Sequence, residues 1–390
     1  MQAGNYTTPI LLNQPIIGSS ATNTVTWDGL GQGATITVAS GAAVTLDGVD
    51  YVTIQNFVLA NTNLTTAWGV ILTNAADYNS ILNNRIIMTA TNGFSTAGIV
   101  STGSLTAVAT NGNNANYTLI EGNTITGSDR GISLRGTSTT NYNVGNVIRN
   151  NDISNADNYG IYTYYQDSCI VEGNTIYNFP STFHYGIYCW YTDNFKVESN
   201  DIQAIDFGLH MSRSNSETGS VVTNPSSVAN NMIQSQDDRG IYMLTTRSTN
   251  LYHNTVKTEG ASACVWSNFD NTVDVKNNIF ISNSINNDYA FETFTNDDFL
   301  DLNYNLYYKN PANPNLIDYR GVLYTDLADW QTNNPNGYGA NSFEGLPTFV
   351  GPTDLHVDGA LIDNQGVLTN IVVDIDGDVR PATGATSVDI

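Results

Sequence analysis

The stretch Ile148-Arg-Asn-Asn-Asp-Ile153, followed by Gly160-Ile-Tyr-Thr163, decides the fold, because the chain repeats it. An asparagine with an apolar residue two positions later recurs at Asn84/Ile86, Asn123/Ile125, Asn151/Ile153, Asn174/Ile176, Asn200/Ile202, Asn231/Ile233, Asn254/Val256, Asn278/Phe280 and Asn305/Tyr307, with a degenerate first copy at Asn56/Val58. A further apolar residue stands three positions before each of the nine regular asparagines, from Ile81 to Leu302. Successive asparagines mostly lie 23 to 31 residues apart, and self-similarity at that period marks a solenoid.

Within each phrase apolar and polar residues alternate, which is the spacing of a strand and not of a helix. A second short strand opened by glycine follows, as in Gly98-Ile-Val, Gly131-Ile-Ser-Leu, Gly186-Ile-Tyr-Cys, Gly208-Leu-His-Met and Gly240-Ile-Tyr-Met. Two or three short strands per turn, with glycine or asparagine at the corners, describe an all-β fold, a right-handed parallel β-helix. Asparagine suits a corner because it tolerates left-handed backbone angles. Its amide also reaches the same amide one coil away, about 4.8 Å along the stack. The β-helix, with an N-terminal cap near Gln2 to Pro15 and first coils from about residue 20, is expected over 1–308. An irregular C-terminal cap packed on the last coils is expected over 309–390, where Pro311, Pro314, Pro335, Pro347, Pro352 and Pro381 make up six of the ten prolines.

Charge narrows the partners. Thirteen Lys and Arg against 36 Asp and Glu leave a net charge of −23, which repels nucleic acid and anionic membranes. No apolar run approaches the roughly 20 residues of a membrane helix, and no signal peptide is visible at Met1-Gln-Ala-Gly. Cys169 and Cys189 fall on inward positions and read as small core residues, and three cysteines form no disulfide framework. Two repeat intervals are long and carry polar insertions, Ser101 to Asn116 and Arg213 to Pro225. Both follow the glycine strand, so they are expected on one side of the solenoid, where such loops border binding faces.

The segments Asn305-Leu-Tyr-Tyr308, Tyr324-Thr-Asp-Leu-Ala-Asp-Trp330, Gly345-Leu-Pro-Thr-Phe-Val350, Thr353-Asp-Leu-His356, Asp374-Ile-Asp-Gly-Asp-Val-Arg-Pro381 and Val388-Asp-Ile390 resemble the C-terminal end of secreted right-handed β-helix surface proteins with PbH1-type repeats, of the Bacteroidetes type. The resemblance covers nearly the whole chain. It implies a secreted or cell-surface location, export by the type IX route, and secretion machinery engaged through a sorting domain outside this chain. It is specific for architecture and export, not for activity.

Residues one and three after each glycine are expected inward, and those two and four after it outward. One outward face then carries Tyr162, Tyr164, Tyr188, Trp190, His210 and Tyr242 on consecutive coils. Flat aromatic faces stack on sugar rings. The same row also serves as an aromatic ladder that stabilises a parallel sheet without any ligand. Two positions before glycine the column reads Asp129, Asn158, His184, Asp206 and Asp238. Carboxylates there are candidates for a glycosidase pair. A lyase would instead draw on His210 or Tyr242 as base and Arg213 or Arg239 as cation. The catalytic candidates are thus His210, Arg239, Asp206 and Asp238, against solvated corner acids with no chemistry. Asp374, Asp376 and Asp378 alternate around Gly377 as in a calcium loop, although no glutamate follows at the distance a full loop needs. The alternative is a capping turn with Arg380 paired to an aspartate. Calcium is the only cofactor the residues point to.

These readings converge on a non-catalytic surface module, adhesive or glycan-binding, whose partner is a polysaccharide or surface glycan. A polysaccharide lyase or glycoside hydrolase and a passive stalk are the alternatives. The absence of a defensible acid–base pair favours binding over catalysis. Confinement of the aromatics to a few coils favours binding over a stalk.

Overall fold

The structure, a computed structural model, describes residues 1–89, 95–180, 184–215, 225–260, 262–285, 289–294, 297–334, 336–358, 361–380 and 389. Much of the second insertion and the segments holding Pro335, Pro381, Val388 and Ile390 lie outside the described residues. The chain divides into two compact units, one from Met1 to Phe195 and one from Lys196 onward.

The first unit is wound from three parallel sheets. One contains Ala34–Val38, Val58–Asn61, Arg85–Met88, Thr124–Thr126, Asp152–Ser154 and Thr175–Tyr177. The second contains the glycine strands Ala67–Thr73, Thr96–Ser101, Arg130–Arg135, Tyr159–Asp167 and Tyr185–Asp193. The third contains Ser80–Leu82, Leu119–Glu121, Val147–Arg149 and Ile170–Glu172. Register partners in each sheet are equivalent repeat residues, so every sheet contributes an apolar column: Ile86, Ile125 and Ile153 in the first, Ile99, Ile132 and Ile161 in the second, Ile120 and Ile148 in the third, all fully buried. Each such side chain removed from water stabilises the fold by about 1.5–3 kcal/mol. Strands begin earlier than the sequence reading places them, since Gly4–Tyr6 and Ile10–Leu12 already pair with Ala34–Val38 and Gly41–Asp47.

The asparagines form a buried ladder. The Asn123 amide oxygen accepts the backbone N–H and the side-chain N–H of Asn84 at 3.0 and 3.1 Å, and Asn123 addresses Asn151 in the same way. Each side-chain nitrogen also donates to a carbonyl of the preceding coil, as Asn151 does to Ile120 at 3.0 Å. In the second unit the ladder runs through Asn200, Asn231, Asn254, Asn278 and Asn305. The ladder asparagine is not the left-handed residue, contrary to the corner argument from sequence. That conformation belongs to the residue before it: Asn83 (φ 53°), Asn150 (54°), Asn230 (55°), His253 (56°) and Asn277 (58°). The first copy is accordingly shifted by one position. Asn56 takes the left-handed place (φ 60°), and Phe57 takes the ladder place, with its N–H on Asn84 Oδ1 at 3.0 Å.

The strand glycines are also not corners. A Cβ on Gly98 would lie 2.4 Å from Ile125 Cγ2 and 2.7 Å from the Gly131 carbonyl oxygen, so close approach of coil to coil excludes a side chain there.

The second unit is built in the same way, with glycine-strand equivalents Phe207–Ser212, Ile241–Leu244, Val265–Asn268, Phe291–Thr293 and Ile317–Tyr319 in parallel order. Parallel pairing thus continues past residue 308, and also joins Phe343–Glu344 to Leu306–Lys309. Val322–Tyr324 then turns back antiparallel on Ile317–Tyr319. The helix Leu327–Asn333, capped by the Asp326 side chain on the Asp329 N–H, buries Leu327 and Trp330. Residues 361–380 return along the corner of earlier coils. Asn277 exchanges two hydrogen bonds with Val367 (2.6 and 2.9 Å), and Asn230 donates to the Val373 carbonyl at 2.8 Å.

Cys169, Cys189 and Cys264 are buried thiols, as read for the first two, and burial pushes the Cys189 thiol up to about 12. No helix of the described residues is long and apolar enough to cross a membrane.

Candidate functional site

The inward and outward assignment of the glycine strands holds on its inner side: Ile132, Leu134, Ile161, Thr163, Ile187, Cys189, Leu209, Met211, Ile241 and Met243 are all at most 1% exposed. The outer side is far more covered than alternation implies. Tyr162 is 3%, Tyr164 8% and His210 6% exposed. The aromatic row is packed into itself and is not an open platform.

In the first unit the outward residues form three columns. Register pairs Arg130 with Tyr159 and Tyr185, Ser133 with Tyr162 and Tyr188, and Arg135 with Tyr164 and Trp190. Tyr159 stacks on Tyr185 with centroids 5.2 Å apart and planes 7° apart, and Tyr188 lies parallel to Trp190 at 5.9 Å. Ring faces therefore meet each other, and Tyr185, Tyr188 and Trp190 stay half-buried. The two arginines sit on this stack. The Arg130 guanidinium is 5.0 Å from the Tyr159 ring centre, and that of Arg135 is 4.3 Å from Tyr164. Arg135 also donates to Asn111 Oδ1 at 2.8 Å, so the first insertion reaches the edge of the face. Elsewhere that insertion lays Val108 over Trp68, Ile71, Ala97 and Val100, covering an apolar outer patch.

The acids two positions before glycine are withdrawn from solvent to different degrees. Asp129 is fully buried, paired with Arg130 at 3.2 Å and bonded by the Asn158 amide; burial still pushes its carboxyl above the usual range. Asp206 is 8% exposed, and its backbone carbonyl accepts the Ser235 hydroxyl. Asp238 gives both oxygens to Arg239, at 3.0 and 3.1 Å, and its pKa is raised, chiefly by burial.

The second unit carries an outward row flanked by Phe207, whose ring centre lies 5.9 Å from His210 and 5.6 Å from Tyr242. Ladder partners run from His210 to Tyr242, Trp266, Glu292 and Asp318. His210 stacks on Tyr242 at 4.2 Å, and burial, with Arg239 nearby, lowers its pKa to about 3. It is neutral at pH 7 and too weak a base for the proton abstraction considered from sequence. Arg239 lies over Tyr242 (5.0 Å) and Trp266 (4.9 Å). Glu292 is raised from 4.5 to about 7, by burial first and then by the Asp318 charge.

Sequence reasoning missed two sets of residues. Arg130, Tyr159 and Tyr185 precede the glycine, yet Tyr159 shares a face with Tyr162, centroids 5.1 Å apart. Alternation slips by one residue at the glycine, and counting by twos from it loses that column. Trp266, Glu292 and Asp318 stand two positions after Cys264, Ala290 and Leu316, where no glycine marks the strand.

At the calcium candidate, Asp374 Oδ1 accepts the N–H groups of Asp376 (3.0 Å) and Asp378 (2.8 Å), closing a turn on Gly377 at φ 86°. Asp376 lies 3.1 Å from the His356 ring. The Arg380 guanidinium donates to Asn230 Oδ1 and the Val373 carbonyl, which ties the turn to the coil corner. Among the described residues no group of three or more His, Cys, Asp or Glu is placed to hold a metal.

The profile of the family described as "Right handed beta helix region" matches residues 99–229 and 142–305. No curated protein sequence matches the chain. Among solved structures the chain is similar to the A-module of a mannuronan C-5 epimerase from Azotobacter vinelandii, with a TM-score of 0.55 and 11% identity over 89% of this chain and 92% of that one. It is also similar to a mannuronic acid specific polysaccharide family 6 lyase from human gut microbiota (TM-score 0.47, 11% identity, 78% and 79% covered). A third similarity is to a surface protein and adhesin of Streptococcus pneumoniae (TM-score 0.42, 11% identity, 70% and 88% covered). At these identities the likeness is one of fold.

Proposed function

We propose that this chain, which belongs to the right-handed β-helix family, is an extracellular module that recognises a polysaccharide through the outer face of its first unit. The observation that carries this reading is the width of that face: three aromatic columns crowned by Arg130 and Arg135. An internal comparison supports it. Tyr51, Tyr78 and Tyr117 form a ladder one ring wide, with centroids 5.0 and 4.9 Å apart, at left-handed corners. A structural ladder needs no more than that. Sugar hydroxyls would meet the tyrosine hydroxyls, the indole N–H and the Arg135 guanidinium.

The epimerase that shares the fold is named for an acidic polysaccharide, but a chain of charge −23 repels polyanions, which favours an uncharged glycan here. The mutual stacking of Tyr159 on Tyr185 favours a second reading, a purely structural ladder. Replacing Tyr188 and Trp190 together by alanine separates the two. Retention on immobilised uncharged polysaccharides should fall at least ~10-fold with the melting temperature nearly kept. Loss of melting temperature with retention unchanged would leave the ladder alone.

A further inference from the structure

The C-terminal return of the second unit roofs a cavity of about 310 Å³. Its floor is the outer face of a sheet, where the ladder pairs Met232 with Thr255 and Thr255 with Ile279. Ile233, Val256 and Phe280 alternate with them and are fully buried inside the coil, so these three face outward. The roof is Leu355, Ile362 and the turn from Asp374 to Arg380. Ile279, Leu306 and Ile362 pack together, which holds the roof on the floor. Three polar groups in the wall lack full partners. Thr255 is 9% exposed, and among the described residues its hydroxyl makes no hydrogen bond, although its backbone N–H reaches the Asn231 carbonyl at 2.9 Å. The Arg380 guanidinium is fixed through Nη1 alone, to Asn230 Oδ1 at 2.9 Å and the Val373 carbonyl, with no described carboxylate in ion-pair reach. The third is the buried His253. Val367 orients the Asn277 amide, so that its nitrogen donates to His253 Nε2 at 3.1 Å. Burial, with Arg380 nearby, lowers the His253 pKa to about 3 and keeps the ring neutral at pH 7. The ring proton is then on Nδ1, which has no acceptor. Groups withdrawn from bulk water without partners point to a ligand that supplies them.

We propose that this cavity binds a short uncharged saccharide between the C-terminal return and the sheet face that carries Thr255. Size sets one limit. The cavity stands at the low end of the ~300–1,000 Å³ of small-molecule sites, room for about one or two sugar residues. Chemistry sets the next. The carboxylates of Asp374 and Asp376 accept, Arg380 donates, and the Thr255 hydroxyl does either, which matches neighbouring sugar hydroxyls that both donate and accept. Met232, Ile279, Leu355 and Ile362 offer apolar surface to the C–H groups of a ring. Charge excludes the competitors. Asp374, Asp376 and Asp389 outnumber Arg380 and His356 in the lining, and His356 already bridges Asp354 and Asp376, so a uronate is repelled. An ammonium ion offers only donors and leaves Arg380 and His253 unmet. The site lies wholly within the second unit and does not rest on the aromatic face of the first.

The test titrates the full chain with glucose, galactose, mannose, xylose, cellobiose, maltose and lactose, and with glucuronate and glucosamine as charged controls. Calorimetry reads affinity, and proton NMR reads the four histidine rings. Expected is saturable binding of at least one neutral sugar that moves the His253 and His356 ring signals and leaves that of His184 in place. Thr255→Val keeps the shape of the floor without the hydroxyl and should weaken binding ~3–10-fold at an unchanged melting temperature. Thr255→Phe fills the cavity from the floor and should abolish binding. Should that variant loosen the return, Thr255→Val decides. A tetrasaccharide that binds as well as its disaccharide identifies a chain end as ligand, and one that binds less well identifies a free sugar; either supports the site. No saturable binding of a neutral sugar, tighter binding of glucuronate or glucosamine, unmoved His253 and His356 signals, or full affinity in both Thr255 variants would overturn the proposal. Tyr188→Ala with Trp190→Ala should leave this binding intact, so failure of the first-unit reading is seen separately.

Discussion

The outward faces of the glycine strands differ between the two units in where the arginines go. In the first unit Arg130 and Arg135 lie over tyrosines on three columns, and the buried Asp129 pairs with Arg130. Positive charge there is spread over aromatic rings. In the second unit Arg239 pairs with Asp238 and lies over Phe207, Tyr242 and Trp266, and the row from His210 ends on Glu292 and Asp318. A coil turns a residue choice at one repeat position into a neighbour contact along the stack. Faces of different character thus arise from the same geometry with different residues in register.

Both faces rest on the asparagine ladder, and breaking it tests whether they rest on it equally. Asn151→Ala removes bonds to Asn174 and Ile120 and leaves two Asn123 N–H groups without their acceptor. Asn254→Ala does the same to Asn278, Val228 and Asn231. Each should cost about 3 kcal/mol in denaturant unfolding, the sum of lost hydrogen bonds and buried unpaired groups. A clearly smaller loss for one of them would mean that its unit draws its stability from elsewhere.

The carboxyls sharpen the comparison through pH. Glu292 has a folded pKa near 7 against an ordinary 4.5, and burial also raises Asp238, Asp270, Asp297 and Asp318 in the second unit. In the first unit Asp129 and Asp157 are raised. A carboxyl with a raised folded pKa holds its proton in the folded state where the unfolded chain has released it. Stability is therefore lost as pH climbs from the ordinary value through the folded one. The raised carboxyls should thus lower stability as pH climbs from 4.5 to 7, against the opposite contribution of His210 and His253, whose pKa values burial lowers to about 3 and which stabilise the fold as pH rises towards 6.5. Glu292→Gln should remove on the order of 2 kcal/mol of that slope, after allowance for solvent screening. An unchanged slope in that variant would show that Glu292 titrates normally.

The smallest expected effect is a null one. None of the three buried thiols should react with a disulfide reagent in the native chain, because all three are shielded from solvent, and burial also disfavours the Cys169 and Cys189 thiolates. During denaturation Cys169 and Cys189 report on the first unit and Cys264 on the second. Simultaneous labelling of all three would mean that the units open together.

Several features are legible in the amino-acid sequence alone. The asparagine period, the glycine strands and the inward Ile, Leu and Cys positions are local patterns, because one repeat specifies its own strand alternation and its own core-facing side chains. Other features depend on a neighbour 23 to 39 residues away in sequence. The left-handed residue precedes the ladder asparagine because the amide must point inward to meet the next coil's amide. Arg130 joins the tyrosines because the strand alternation slips at Gly131. Glu292 and Asp318 become a pair only when Phe291–Thr293 and Ile317–Tyr319 come into register, with Ala290 and Leu316 where earlier coils carry glycine. Burial of Tyr162 and His210 on a face that alternation marks as outward, and the return of residues 361–380 to Asn230 and Asn277, are likewise settled by tertiary packing. Periodicity tells a side chain which way to point, but which groups share a proton or a ring contact is set by the stacking distance and by what lies on the adjacent coil.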